Sequence, residues 1–233
     1  MKKSILPALL LIILTTKLLP QSGTQDDTFQ KATAYFFQKK FEMAELLLQE
    51  VIKKEPENAE AYSYLADIYL VKNQVDGALK LYNRSLELKP DSAENYFRIG
   101  QIYYRKKIGN VSLENFDRAL QLNPGLNIVY YHKGLTTLML LRDKESTIQY
   151  WERYISLVPE DPQYENIKRV IALLKDPNFK LPPEGSDVSI EEALLLGGAT
   201  LDTRDRQTEN KKADHEKKKS TDKIEEIYLD DDL

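Results

Sequence analysis

The chain of 233 residues contains no cysteine. That absence excludes disulfides, zinc–thiolate and iron–sulfur sites, cysteine nucleophiles and any cysteine-linked lipid anchor. It leaves the redox compartment open, since a chain without thiols is at ease in any of them. Histidine is nearly as scarce: His132 and His215 stand far apart, without metal-ligand spacing. No apolar run reaches the roughly 20 residues that a membrane span needs. A basic stripe is missing too, which argues against nucleic acid as a partner. What remains, 42% hydrophobic and 30% charged, describes a soluble chain able to bury a core without staples.

Charge is distributed unevenly. Residues 176–233 carry 16 acids against 9 bases, whereas the first 175 carry 24 bases against 21 acids. The N-terminus reads Met1-Lys2-Lys3 followed by the apolar run Ile5 to Leu14, with Lys17 ending it. A positive start and a ten-residue apolar stretch form the layout of an export signal, here residues 1–23 with cleavage near Ser22 or Gly23. The alternative is an uncleaved inner-membrane anchor over residues 5–19.

Tyrosine is abundant: 13 of the 14 fall between Tyr35 and Tyr164. Their spacing exposes a repeat. At a lag of 34 residues Tyr35, Tyr69 and Tyr103 align, as do Tyr62, Tyr96 and Tyr130. Ala32, Ala66, Gly100 and Gly134 form a small-residue column, and Pro56, Pro90 and Pro124 close successive units. Pro159 follows 35 residues later, so the last unit holds one insertion, most economically around Arg142-Asp143-Lys144. Each unit reads as two helices. In the second, Tyr62, Leu65, Ala66 and Tyr69 keep helical spacing, Asn73-Gln74 turns, and Ala78, Tyr82, Ser85 and Leu86 resume it before Lys89-Pro90. Asn58 and Ser92 stand where N-caps belong. Small residues let helices cross closely while rings fill the wider gaps, so most of the aromatic columns are core.

The series Tyr62, Leu65, Ala66, Tyr69, Ala78, Tyr82, Ser85, Pro90 and its counterpart Tyr96, Ile99, Gly100, Tyr103, Ser112, Phe116, Ala119, Pro124 resemble the tetratricopeptide repeat family at every spacing. The flanking units are weaker: Thr28 and Lys31 in the first, and Lys133, Thr137 and Tyr154 in the fourth, replace the usual residue types. The resemblance implies an all-α, right-handed solenoid. Four tandem units would occupy 24–160 and a closing helix 161–176, started by Asp161-Pro162. Residues 177–233 read as a largely disordered, charged tail with a short helix at 188–197, and end in an acidic and apolar segment, 224–233, of docking-peptide composition.

Catalytic signatures do not emerge. His215-Glu216 lacks the second histidine of a zinc-peptidase helix, and Gly197-Gly198 lacks the lysine of a phosphate loop. The sequons at Asn83 and Asn110 place Ser85 and Ser112 in core columns, so both are accidental. His132 is expected on the groove or surface, and Trp151 in the core column of Tyr82 and Phe116. No cofactor, metal or small-molecule substrate is expected.

The resemblance implies instead a concave groove, lined by the first helices, that binds a partner peptide or helix. Helical geometry then selects its side chains: Phe29, Thr33 and Phe36; Ser63, Asp67 and Leu70; Phe97, Gln101 and Tyr104; Tyr131, Leu135 and Leu138. Arg98 and Arg105 lie at its margin. This set is apolar and aromatic with little charge, suiting an apolar or amphipathic segment, unless the closing helix or tail covers part of it. Phe29, Thr33, Tyr64 and Glu94 occupy sites where a subclass that clamps acidic chaperone C-termini needs polar or basic groups; only Arg98 fits. The expectation is a non-catalytic scaffold of a bacterial envelope or periplasm. Alternatives are an adaptor whose acidic tail competes for its own groove, and a non-catalytic subunit of an envelope enzyme or transport complex.

Overall fold

The small-residue column becomes a series of helix crossings. The computed structural model describes residues 25–197, all helix and connecting turn, so the export signal and the 224–233 segment lie outside the described residues. Four helix pairs follow one another: α1 (Gln25–Phe37) with α2 (Phe41–Lys54), α3 (Ala59–Val71) with α4 (Val75–Leu88), α5 (Ala93–Arg105) with α6 (Gly109–Leu122), and α7 (Ile128–Met139) with α8 (Lys144–Leu157). Each second helix also packs on the first helix of the next pair, and the first helices touch one another across the array at α1–α3 and α5–α7. This is the all-α solenoid that the tetratricopeptide resemblance implies. Helix α9 (Tyr164–Lys175) packs on α8, and residues 190–197 form a short helix, α10.

Each crossing is built alike. A large side chain of the second helix, Leu48, Tyr82, Phe116 or Trp151, is buried within the pair, at 0%, 1%, 0% and 3% exposure. Opposite stands Ala32, Ala66, Gly100 or Gly134. A methyl group on Gly100 would strike the Phe116 ring, and one on Gly134 would strike the Trp151 indole. The indole is held there by donating Nε1–H to the Tyr131 carbonyl at 3.0 Å. Burial of each of these side chains is worth on the order of 1.5–3 kcal/mol, so each crossing contributes substantially to its unit.

The turns repeat as faithfully. Lys39, Asn73, Lys107 and Arg142 all take left-handed φ, at 56°, 57°, 59° and 57°. In the first three units the following N–H reaches back five residues to close the helix end: Lys40 to Tyr35 O, Gln74 to Tyr69 O, Ile108 to Tyr103 O. In the fourth, Asp143 N–H reaches Thr137 O, six residues back. The inserted residue therefore lies at Leu140-Leu141, before the Arg142-Asp143-Lys144 expected, since Arg142 itself keeps the left-handed turn position. Asn58 and Ser92 cap α3 and α5 as expected, accepting from Ala61 N at 2.9 Å and Asn95 N at 3.3 Å.

One further expectation shifts. The closing helix starts at Tyr164 rather than at Asp161-Pro162. Asp161 instead accepts from Gln163 N at 2.7 Å and from the Tyr154 hydroxyl at 2.5 Å, holding a turn one step earlier. The atypical residues of the fourth unit are satisfied in pairs. Lys133 is buried beneath the Tyr150 ring, 4.2 Å from its centroid, with its ammonium on Asp117. Thr137 and Thr147 share a hydrogen bond of 2.9 Å. In the first unit Lys31 is simply exposed, because no earlier unit packs there.

Gly134→Ala is expected to lower the unfolding free energy by about 1–3 kcal/mol, since the indole must move and its hydrogen bond break. Denaturant titration checks this; an unchanged midpoint would show that the close crossing carries no weight.

Candidate partner-binding groove

Polar residues stand at Ser63, Ser85 and Asn95 in three mainly apolar columns of the repeat, and these three meet in space. The ring column Phe29, Phe97, Tyr131 has Ser63 in the second unit. Ala61 and Val129 bracket Asn95, and Val51 and Ala119 bracket Ser85. Ser63 donates to Asn95 Oδ1 at 3.0 Å, Asn95 Nδ2–H donates to Ser85 Oγ at 2.8 Å, and Ser85 donates to the Ala59 carbonyl at 2.7 Å. Asn95 is 3% exposed, and this chain satisfies it. With no ring at position 63, the concave face opens into a cleft of about 650 Å³ between α1, α3 and α5.

One wall of the cleft is aromatic. The Tyr64 ring lies 5.0 Å from Phe36, 6.0 Å from Phe29 and 6.1 Å from Phe37, mostly edge to face. Phe37 is 72% exposed, so this wall ends in an open ring. The floor is charged. Asp67 accepts from the Tyr82 hydroxyl and lies 3.5 Å from Arg98 Nε. Burial raises the Asp67 carboxyl above its usual range, with Arg98 and Tyr82 opposing. Burial likewise pushes the Tyr82 phenol well above its ordinary value, with the Asp67 charge adding to it. Lys89, 3.5 Å from Glu60, and Lys39 stand at the rim.

The expected groove set thus divides. Phe36, Ser63, Asp67 and Arg98 come together in the cleft. Phe29 packs behind its wall, and Thr33 turns its hydroxyl onto the Gln30 carbonyl at 2.9 Å. Arg105 donates to Asn73 Oδ1 at 2.9 Å, away from the cleft. Leu70, Phe97, Tyr131, Leu135 and Leu138 are buried, between 0% and 8% exposed. Leu70 fills the core between α3 and α5, and Phe97 packs on Phe116. Tyr131, Leu135 and Leu138 join a cluster with Ile167, Ile171 and Leu174 of α9. The expectation of an apolar open groove is corrected accordingly: its apolar residues are covered by the chain itself, and the part left open is polar and aromatic. Phe37, Lys39, Lys89 and Asn95 escaped the helical-face selection. Asn95, a polar residue in an apolar column, was the signal available.

His132 sits between the two halves. Its ring lies 5.1 Å from Phe97 and 5.9 Å from Phe116, with Nε2 3.2 Å from Gln101 Nε2. Burial, and then the Arg98 charge, lower its pKa to about 3. Tyr104 is raised to about 12, by burial and then by Glu191.

Residues 29–93, the first two helix pairs and the start of α5, match the tetratricopeptide repeat family model. The fold is a tetratricopeptide-type solenoid. No curated protein matches the chain. Among solved structures, it is similar to MamA, at 18% identity over 84% of this chain and 97% of that one, with a TM-score of 0.58. A MamA 41-end chain from Desulfovibrio magneticus RS-1 gives 16% identity over 82% and 99%, with a TM-score of 0.60. An O-GlcNAc transferase mutant of Thermobaculum terrenum gives 15% over 57% of this chain and 26% of that one, with a TM-score of 0.53. At such identities the likeness is one of fold.

Because folded His132 resists protonation while the unfolded residue takes a proton near pH 6.5, the unfolded state binds more protons below that value. Its stability contribution is therefore full above about pH 6.5 and falls on acidification toward pH 3. Asp67, raised in the fold, acts in the opposite sense at lower pH. We expect a loss of about 1–2 kcal/mol between pH 7 and pH 5, largely absent in His132→Phe, measured by denaturant unfolding at each pH.

Proposed function

We propose that this chain is a non-catalytic scaffold of the bacterial cell envelope that holds a segment of a partner protein in the open cleft of its first three units. The observation that carries the reading is the interrupted ring column. Where Ser63 stands in place of an aromatic residue, a cleft of about 650 Å³ opens, with the 72% exposed Phe37 at its mouth. An exposed ring beside hydrogen-bonding and charged groups offers an apolar anchor point with orienting polar contacts. The ionisable groups on the floor are engaged with each other: Asp67 with Tyr82 and Arg98. Such mutual pairing suits a fixed recognition surface better than proton transfer. Export rests on the Met1-Lys2-Lys3 start and the Ile5 to Leu14 run.

Two measurements test the reading. Crosslinking from a photoreactive residue at position 37 in envelope fractions should yield one dominant partner. Phe37→Ala and Lys89→Glu should each weaken its binding about tenfold with little shift of the unfolding midpoint, since both side chains are largely exposed at the cleft. Capture that is indifferent to both substitutions would remove the cleft from the interface. Mature protein beginning near Ser22 or Gly23 is the expected mass result; an intact N-terminus would favour the anchored alternative.

A further inference from the structure

The concave face of the third and fourth units has an occupant. Helix α10 lays Ile190 and Leu194, four residues apart and 7% and 3% exposed, into the cluster that contains Leu138 and α9. Tyr104, an expected partner-binding residue, borders the same cluster and feels the Glu191 charge. The chain's own helix therefore sits on side chains that helical geometry assigns to partner recognition.

Several features set α10 apart from α9. Helix α9 buries five residues, Ile167, Val170, Ile171, Leu173 and Leu174, along a continuous stripe. Helix α10 buries two and leaves Leu195 and Leu196 at 46% and 65% exposure. Its start is self-contained: Ser189 N–H donates to Glu192 Oε2 at 2.9 Å, and Glu192 N–H to Ser189 Oγ at 3.1 Å. This reciprocal cap needs nothing from the array. The connector 183–189 is exposed throughout and contains the left-handed Gly185, φ 75°. Beneath it, against the turns at Lys107 and Arg142, lies a gap of about 560 Å³. Acidic Glu184 and basic Lys107 and Arg142 line that gap together. Seated by Ile190, Leu194 and the close approach of Gly197 to Leu173 and Phe179, arched over an open gap and locally capped, this segment is held by less buried apolar surface than α9.

We infer that this face is a second docking surface, and that residues 186–197 are a resident, displaceable copy of what it recognises. The partner segment it fits is a short helix with apolar residues at i and i+4 and acidic residues in its first turn. The inference extends the scaffold reading but uses a different part of the concave face, so each can fail alone.

The test uses the full chain and a labelled synthetic peptide with the sequence of residues 186–197. Unaltered protein should bind the peptide weakly, and the Ile190→Asp, Leu194→Asp double variant about tenfold or more tighter, because the resident helix no longer competes. Adding Tyr104→Ala should reduce that binding again, whereas Tyr64→Ala should leave it unchanged. Native-state hydrogen exchange on the unaltered chain supplies an independent readout: amides of 193–197 should exchange at least about 100-fold faster than those of 170–174. Equal peptide affinity for the two proteins would overturn the inference. So would equal protection of α9 and α10, including the case in which the double variant fails to fold. Loss of peptide binding with Tyr64→Ala would place the peptide in the first cleft and refute a second surface.

Discussion

A large side chain pressed onto a small one holds every unit of this protein closed. Leu48, Tyr82, Phe116 and Trp151 can be buried only because Ala32, Ala66, Gly100 and Gly134 leave room for the helices to cross. The crossing fixes the angle within a pair, and the angle dictates which face each first helix turns inward. Everything on the concave side depends on that repetition. A left-handed turn residue at Lys39, Asn73, Lys107 and Arg142 reproduces the same hairpin four times. When one residue is added at Leu140-Leu141, the turn absorbs it and the crossing survives.

Repetition also makes deviation meaningful. In the first, third and fourth units the position equivalent to Ser63 carries a ring: Phe29, Phe97 and Tyr131. Here three polar residues, Ser63, Ser85 and Asn95, come from different columns and different helices yet form one hydrogen-bonded chain. They replace apolar volume with polar groups at a single place and open the cleft. At the other end of the array the ring and leucine positions keep their apolar character, and the chain covers them with α9 and α10. One half of the concave face is thus polar, aromatic and open, the other apolar and occupied.

Much of the fold was legible because its determinants are local and periodic. The 34-residue lag located the helix pairs, the capping roles of Asn58 and Ser92 and the core place of Trp151, since each depends on neighbours within one unit. The groove was legible only in part. Helical geometry identifies a face, but not what lies over it: Tyr131, Leu135 and Leu138 share a face of α7 and are buried in one cluster with residues of α9. The start of α9 was misplaced because Asp161 has two competing uses, and the contact with Tyr154 decided between them.

The sequence by itself determined the solenoid, its period, its turns and the residues of each crossing, because every one of those rests on contacts within about one repeat length. Tertiary structure alone decided which groove positions are open. That outcome depends on segments up to 90 residues apart in the chain: Leu138 of α7 and Leu194 of α10 belong to one cluster, and Tyr104 of α5 packs against it. A column of aligned residues cannot report such pairings, since burial of an inner-face residue is set by the chain that returns to cover it rather than by its own helix.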